Sequence, residues 1–393
     1  MNDASSPQRQ EIDYRDFVHT DPGTLAGRYM RSFWQPICLA EEVETSHTWR
    51  EKIMGQFVTL YRGESGAVHA VTDRCPHRGT QLSAGWVEGE CIRCFYHGWM
   101  FSSDGACVEQ PAENDSFQDK IRIASYTVRE YLGLVFIYLG VGEPPEFPRY
   151  PELEDESAGT LIQGARAPVP CNYFQRIENA ADQVHVAFAH RDMFGSAGVS
   201  GVPDYSVEET AYGILTRGKR EGLQDRLTHF HMPNVNILKV PPGKGETAWA
   251  SNVAWRVPVD DTHHRSFNVR RIRLKDGQSP PGGGTRSTST RPVEIARAIL
   301  DGEMRLNDLD PVADQGIIVP IQDNIAQMGQ GPIADRENDH LGKSDVGVIL
   351  IRKLWREELQ ALSDGTPLRH WRRPLDGLDL ASGAETAGVD GQT

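Results

Sequence analysis

The sequence contains no long apolar run and no excess of basic residues. Its apolar stretches fall short of the roughly 20 residues that a membrane-spanning helix needs. Residues 1–13 lack the basic start and the apolar core of a secretion signal. Asp and Glu outnumber Lys and Arg by 55 to 41, and the net charge of −14 argues against nucleic acid or an anionic membrane as a partner. These absences predict a cytoplasmic protein that binds neither nucleic acid nor a membrane.

Cysteine is also scarce, with six residues in a chain of 393. Cytosolic thiols stay reduced, so we expect metal binding or burial and no disulfide framework. Four of the cysteines stand alone in apolar, turn or strand-like sequence, and we interpret them as packed thiols: Cys38, Cys91, Cys107 and Cys171. The other two lie beside histidines and need a different explanation.

The distribution of apolar residues divides the chain into two regions. Between about residues 33 and 139, short β-type runs separated by turn residues predict a small all-β domain. Beyond the Pro-rich stretch 142–155, a helix-like stretch at about 174–190, alternating strands and late helices predict a mixed region. The fold class is therefore α+β, with a long exposed loop over 275–290, where Gly, Pro and Ser are frequent.

The two remaining cysteines lie in one short stretch, CPHRGTQLSAGWVEGECIRCFYHGW, which places Cys75, His77, Cys94 and His97 at the spacing C-x-H-x16-C-x2-H. Zinc accepts two Cys and two His, but zinc motifs usually pair Cys with Cys and His with His. One Cys and one His on each loop suit a two-iron cluster, in which one iron takes both thiolates and the other both imidazoles. Each loop follows a β-run, so we expect the loops to meet at the same end of one sheet. Zinc remains the alternative.

The stretch CPHRGTQLSAG…CFYHGW resembles the Rieske domain of the non-haem iron aromatic oxygenases, in the branch of phthalate-dioxygenase-like and O-demethylase α subunits. The resemblance implies a Rieske [2Fe-2S] domain at 31–148, followed at 149–380 by a helix-grip catalytic domain with an antiparallel sheet. Residues 1–30 are expected to pack on the catalytic domain and 381–393 to form a disordered tail. A Rieske domain alone establishes only electron transfer, so an electron carrier without oxygenase activity remains an alternative.

A second metal motif separates these alternatives. The stretch NAADQVHVAFAH places Asn179, Asp182, His185 and His190 in the order N-x2-D-x2-H-x4-H, the pattern that the family uses for its mononuclear iron. Two imidazoles and one carboxylate leave positions on Fe(II) open for O2. On an ideal helix, five residues place the two histidines roughly 140° apart. We therefore expect the helix to end between them or to contain a wider π-type turn.

The resemblance also implies the third ligand and a bridging residue. Asp323, in the stretch IQDNIAQMGQ, occupies the position of the family's carboxylate ligand, with Asp314, Asp335 and Glu337 as rivals. Asp182 and Asn179 are expected to be catalytic residues, and Asp182 is implied to be no ligand but a hydrogen-bond acceptor for a ligating histidine of each centre.

The electrons must come from another protein, because the chain lacks a Gly-rich dinucleotide fingerprint and a plant-type cluster motif. The resemblance implies an NAD(P)H-dependent reductase, with or without a ferredoxin, and a homotrimer. The favoured reaction is O-demethylation of a methoxylated, lignin-derived aromatic acid with O2. Ring hydroxylation or cis-dihydroxylation of a phthalate-like acid is the alternative. Other histidines, such as His229 and His231 on one strand face, are interpreted as core or surface residues.

Overall fold

The computed structural model describes residues 13, 15–114, 117–165, 167–191, 201–220, 225–240, 250–277, 285–286, 289–310 and 317–373. The predicted tail at 381–393, the rival ligand Asp314 and most of the predicted loop at 275–290 lie outside these ranges. Among the described residues, no helix is both long and apolar enough to cross a membrane.

The first region is built on an antiparallel sheet with the strand order β1-β10-β9-β4-β3-β2. Helix α1 (Leu25–Arg31) precedes it. Its strands are β1 (Gln35–Leu39), β2 (Thr48–Ile53), β3 (Gln56–Arg62), β4 (Val68–Thr72), β9 (Ser125–Tyr131) and β10 (Leu134–Tyr138). All five residues of β10, LVFIY, are buried, as a strand covered on both faces requires. This core supports the loop that leaves β4.

A smaller antiparallel sheet, with the order β5-β6-β7-β8, carries the second cysteine loop. Its strands are β5 (Trp86–Glu88), β6 (Cys91–Arg93), β7 (Met100–Phe101) and β8 (Cys107–Glu109). The loop of Cys75 follows β4 of the larger sheet, whereas the loop of Cys94 joins β6 to β7. The prediction that both loops leave one sheet was therefore wrong, because strand-like runs in sequence do not reveal which strands pair.

The second region contains a long sheet with the order β12-β13-β14-β15-β16-β17-β11-β18, antiparallel throughout except for the pairing of β11 with β18. Its strands are β11 (Thr160–Ala165), β12 (Asp204–Thr210), β13 (Gly213–Lys219), β14 (Arg226–His231), β15 (Val235–Val240), β16 (Ala250–Asp260), β17 (His263–Ile272) and β18 (Thr285–Arg286). Together with the helices below, this sheet confirms the α+β fold class.

The helices of the second region pack on this sheet or against one another, and they carry the second metal motif. They are α2 (Pro151–Glu154), α3 (Tyr173–Ala181), α4 (His185–Ala189), α5 (Arg291–Leu300), α6 (Ile318–Met328) and α7 (Val346–Asp364). The single helix-like stretch predicted at about 174–190 is thus two helices. The buried rings of Phe174 on α3 and Trp355 on α7 lie edge to face at 5.5 Å. This contact packs α3 against α7.

The N-terminal segment and the two regions share one core. The ring of Phe17 stacks on that of Phe174 at 4.1 Å, and the hydroxyl of Tyr173 donates to the carbonyl of Phe17 at 2.6 Å. Between the regions, the backbone N–H of Met54 donates to the carbonyl of Pro258 at 2.9 Å. Residues 15–31 therefore contact the second region, while the division of the chain into domains stays a prediction.

Candidate metal centres

The two cysteine loops have the same turn despite their different spacing. In the first loop, the N–H of Gly79 donates to the carbonyl of Cys75 at 2.9 Å; in the second, the N–H of Gly98 donates to the carbonyl of Cys94 at 3.0 Å. Both glycines have positive φ, +76° and +74°, which other residues adopt only with strain. Each loop thus presents one Cys and one His from a closed turn.

The four side chains lie close together. The two sulfurs are buried, and the two imidazole rings are half-buried. Cys75 and Cys94 are 1% and 2% exposed, whereas the rings of His77 and His97 lie edge to face at 4.4 Å. The ring of His77 also stacks on Trp99 at 4.6 Å. Its Nδ1 is buried and has no hydrogen-bond partner in the part of the chain that the structure describes. This donor set fits a cluster held between two thiolates and two imidazoles.

The protein alone does not stabilise the charged form of Cys75 or that of His97. Burial raises the pKa of the Cys75 thiol to about 12, and the neighbouring Cys94 adds to this, while the N–H of His77 opposes it. Burial lowers the pKa of His97, and the charges of His77 and Arg78 lower it further. Two close thiolates therefore need a bound cation, which a pair of iron ions supplies.

Asp73 anchors the first loop from below. Its side chain is fully buried and accepts hydrogen bonds from Thr59 at 2.7 Å and from Nε of Arg50 at 2.6 Å. Its backbone carbonyl accepts from the N–H of Leu82 at 2.8 Å, across the base of the loop. The position of Cys75 is therefore set by the larger sheet.

The second motif depends on a break between α3 and α4. Asp182 ends α3 with φ −85° and ψ 125°, and its Oδ1 accepts from the N–H groups of Val184 at 2.6 Å and His185 at 3.3 Å. Helix α4 starts at His185 and ends at Ala189, and His190 follows with φ −111° and ψ 17°. The helix thus ends between the two histidines, which was the first of the two expectations, and both rings can face one point.

Three donor atoms meet at that point. Nε2 of His190 lies 3.3 Å from Oδ1 of Asp323, and Nε2 of His185 lies 3.8 Å from the same oxygen. Within the described ranges, His185, His190 and Asp323 form the group of His, Cys, Asp or Glu whose donor atoms all lie within 4.8 Å of one another. The rivals Asp335 and Glu337 are exposed and outside this group.

The hydrogen bonding of Asp323 indicates whether the three donor residues suit a metal ion. Its Oδ1 is buried and has no hydrogen-bond partner among the described residues. Burial alone raises the pKa of Asp323, but Arg176 and the two histidines hold that pKa well below its ordinary range. A buried, ionised carboxylate with a free oxygen aimed at two imidazoles fits a divalent metal ion.

His190 is oriented by a hydrogen bond on its other ring nitrogen, whereas His185 has only a longer approach to a carboxylate there. Nδ1 of His190 lies 2.8 Å from Oε1 of Gln322, so it carries the proton and leaves the lone pair on Nε2. Nδ1 of His185 lies 3.5 Å from Oδ2 of Asp182. Although burial raises the pKa of Asp182, the His185 ring and the N–H groups of Val184 and His185 lower it below the ordinary value. Asp182 thus touches one ligand candidate directly.

Two residues at this centre were not found from the sequence. Nη1 of Arg176 donates to Oδ2 of Asp323 at 2.7 Å and to the side-chain oxygen of Asn179 at 3.2 Å. Asn179, predicted as a catalytic residue, therefore contacts Arg176. The signal for Arg176 was its place three residues before Asn179, on the same helix face. The signal for Gln322 was its position next to Asp323.

A second arginine, Arg226, lies on the sheet next to the metal motif. Nε2 of Gln183 donates to Oγ1 of Thr216 at 3.0 Å and lies 3.3 Å from Oγ1 of Thr228, so Thr228 faces the helices. Arg226, two residues earlier on β14, shares that face. Among the described residues, its guanidinium has no hydrogen bond or ion pair. Burial lowers the pKa of Arg226, the nearby Arg220 lowers it further, and Asp323 opposes both.

The histidines of β14 lie on the opposite face of this sheet. His229 and His231 are 4% and 7% exposed, and Nδ1 of His229 lies 2.7 Å from the hydroxyl of Tyr212. Both are therefore core residues, as predicted.

Comparison with known proteins identifies the arrangement. The model of the Rieske [2Fe-2S] domain matches residues 33–129. The phenoxybenzoate dioxygenase subunit alpha of Ectopseudomonas oleovorans is 30% identical, covering 88% of this chain and 86% of that protein. The chain is a Rieske-type oxygenase.

Two further similarities extend over most of the oxygenase. The 5,5'-dehydrodivanillate O-demethylase oxygenase subunit of Sphingobium sp. (strain NBRC 103272 / SYK-6) is 29% identical, covering 88% of this chain and 79% of that protein. The structure of NdmA from Pseudomonas putida CBB5 with caffeine superposes with a TM-score of 0.67 at 20% identity, covering 87% of this chain and 94% of that one. Its fold is thus that of this oxygenase.

The assignment decides the cofactors. The oxygenase carries a Rieske [2Fe-2S] cluster and a mononuclear iron, and it is the terminal component of a Rieske non-haem iron system. The zinc and electron-carrier alternatives are therefore wrong. The names of both relatives describe one subunit of a larger system.

Proposed function

We propose that the oxygenase O-demethylates a methoxylated aromatic acid, using O2 and electrons from an NAD(P)H-dependent reductase, directly or through a ferredoxin. The similarity to a dehydrodivanillate O-demethylase subunit over 88% of the chain supports the reaction. The similarity to a phenoxybenzoate dioxygenase subunit favours ring dihydroxylation as the second candidate. Both relatives are named for aromatic carboxylates, which supports an aromatic acid as substrate.

Arg226 carries the proposal that the substrate is an acid. Its guanidinium lies on the iron-facing side of the sheet without an ion pair among the described residues, and the charge of Asp323 opposes the lowering of its pKa by burial. A desolvated cation without a partner is unfavourable, and a substrate carboxylate would relieve that cost. An anchored carboxylate also fixes which ring atom or methoxyl carbon reaches the iron.

The residues of the chain have distinct roles in this proposal. Cys75, His77, Cys94 and His97 would hold the cluster, and His185, His190 and Asp323 would hold the mononuclear iron. When bound, the two groups supply electrons and O2 activation. Asp182 lies beside Nδ1 of His185 at 3.5 Å, and Gln322 accepts the Nδ1 proton of His190, so Nε2 of His190 keeps a lone pair for the metal.

We also propose a homotrimer in which the cluster of one chain faces the mononuclear iron of its neighbour, with Asp182 accepting hydrogen bonds from a histidine of each centre. The exposed fraction of the Asp182 side chain, 28%, leaves room for a second histidine. Light scattering should give the mass of three chains; a fully active monomer would contradict the trimer.

The products distinguish the two reactions. Oxidation of a methoxyl carbon gives a hemiacetal, which breaks down to a phenol and formaldehyde, whereas ring dihydroxylation gives a cis-diol. We expect stoichiometric formaldehyde from methoxylated aromatic acids incubated with NADH, a reductase and 18O2. A diol carrying two labelled oxygens, without formaldehyde, would establish the second candidate instead.

A substitution tests the recognition of the acid. Arg226→Met should raise KM for the acid by about ten-fold or more and leave KM for its methyl ester unchanged, because only the acid loses an ion pair. Arg217→Met is the matched control, since Arg217 lies on the neighbouring strand β13 and pairs with Asp225 at 3.1 Å. Equal losses for acid and ester would remove Arg226 from substrate recognition.

A further inference from the structure

The two oxygens of Asp323 have different surroundings. Oδ2 accepts a hydrogen bond from Nη1 of Arg176 at 2.7 Å, and the two side chains are only 8% and 10% exposed. Oδ1 has no hydrogen bond among the described residues and lies 3.3 Å from Nε2 of His190. One oxygen is therefore paired with a cation, and the other faces the imidazoles.

Arg176 is fixed in this position by its own helix and by α6. The same Nη1 donates to the side-chain oxygen of Asn179, one turn further along α3. The preceding residue, Gln175, donates from Nε2 to the carbonyls of Gln327 at 2.7 Å and Gly331 at 3.0 Å. These bonds join α3 to the end of the helix that carries Asp323 and so hold the two helices together.

The number of oxygens that Asp323 gives to the iron determines how many positions remain. A carboxylate can bind a metal through one oxygen or through both. Two imidazoles and one carboxylate oxygen leave adjacent positions open, and a second carboxylate oxygen would fill one of them. The bond from Arg176 to Oδ2 is charge-assisted and buried, so turning Oδ2 toward the metal would weaken it.

We propose that Arg176 is a positioning residue that keeps Oδ2 of Asp323 away from the mononuclear iron. Asp323 then offers the metal one oxygen, and a coordination position stays open to O2. This inference rests on the mononuclear iron cofactor and not on the proposed substrate. An experiment that refutes O-demethylation would therefore not refute it.

Nitric oxide, which binds Fe(II) where O2 does, tests the open position without turnover. The iron-loaded oxygenase, with its cluster oxidised, is titrated anaerobically with nitric oxide, and the adduct is followed by electron paramagnetic resonance. In Arg176→Met the iron should remain, since all three donors remain, but the apparent affinity for nitric oxide should fall by about ten-fold or more. Arg176→Lys retains a cationic donor and should restore the affinity to within about two-fold of the wild type.

Arg336→Met is the matched control, because Arg336 forms an ion pair with Glu178 of the same helix at 2.9 Å and not with Asp323. It should leave nitric oxide binding unchanged. Wild-type affinity in Arg176→Met would overturn the proposal, as would loss of the mononuclear iron from that variant, which would make Arg176 a structural support. If Arg176→Met does not fold, Arg176→Gln replaces it, because the shorter side chain cannot reach Oδ2.

Discussion

At the scale of single residues, the second metal centre depends on three side chains that each expose one donor atom. His185 and His190 direct Nε2 toward Oδ1 of Asp323, and their Nδ1 atoms face Asp182 and Gln322. We expect His185→Ala, His190→Ala and Asp323→Ala to abolish oxygenation, because each would remove one of the ligands that we propose for the mononuclear iron. Metal analysis should show the iron content falling from about three to about two per chain, while the visible spectrum of the cluster persists.

Asp335→Ala is the control for this prediction. Asp335 is exposed, and its side chain accepts from Asn338 at 2.7 Å. Full activity is expected in this variant. If Asp323→Ala keeps its iron and its activity, the ligand role belongs to another carboxylate.

Asp182 combines two functions that a substitution can separate. Its Oδ1 accepts the N–H groups at the start of α4, and its Oδ2 lies 3.5 Å from Nδ1 of His185. Asp182→Asn keeps an oxygen for the helix start but loses the negative charge, which weakens the hold on the imidazoles. The variant should still bind the cluster and the mononuclear iron. Single-turnover electron transfer from the reduced cluster to the mononuclear iron should slow by about ten-fold or more. An unchanged rate would exclude Asp182 as the bridge.

At the scale of elements, the cluster loops depend on glycines in left-handed conformation. A Cβ at Gly79 would meet no atom within 4 Å, so Gly79→Ala adds strain without a clash. That strain amounts to about 1–2 kcal/mol. Because the turn holds Cys75 and His77, the cluster absorbance should bleach at a lower temperature than in the wild type.

Gly66→Ala provides the comparison, since Gly66 has φ +88°, open space around its Cβ position and a place in the turn between β3 and β4. Gly66→Ala should lower the free energy of unfolding in urea by a similar amount. The cluster should nevertheless stay bound until the protein unfolds. Equal cluster loss in both variants would mean that the loop has no special role in retention.

At the scale of the whole molecule, the contact between the two regions includes an ion pair with little exposure. Nη1 of Arg265 donates to Oε1 of Glu51 at 2.8 Å, and the side chains are 17% and 9% exposed. Removing one partner of such a pair leaves a desolvated charge, so Glu51→Ala should lower the free energy of unfolding by about 3–5 kcal/mol. Urea unfolding followed by circular dichroism and by the cluster absorbance measures this loss.

A neighbouring ion pair, between Lys52 and Asp260, also joins the two regions. Its side chains are more exposed, at 31% and 22%. Lys52→Ala should cost no more than about 1 kcal/mol. A loss in Glu51→Ala as small as that in Lys52→Ala would show that the contact between the regions does not depend on the buried pair.

The sequence predicted the kind of cluster but not the elements that carry the metal ligands. The spacing around Cys75 and Cys94 predicted a two-iron cluster, and the comparisons confirm a Rieske domain. The pairing of their loops with two separate sheets was not predictable, because hydrogen bonds between strands join distant segments. Helix α6 was also missed, and with it the element that carries Asp323.

By itself, the sequence determined the donor chemistry of the oxygenase, since ligand types and local spacing are properties of contiguous chain. The resemblance implied Asp323, but only the tertiary structure brought its carboxylate to His185 and His190 and showed which cation pairs with it. Arg176 and Asp323 are 147 residues apart, and no local pattern links them. They meet because α3 and α6 pack together, and that packing results from the burial of apolar faces across the whole second region.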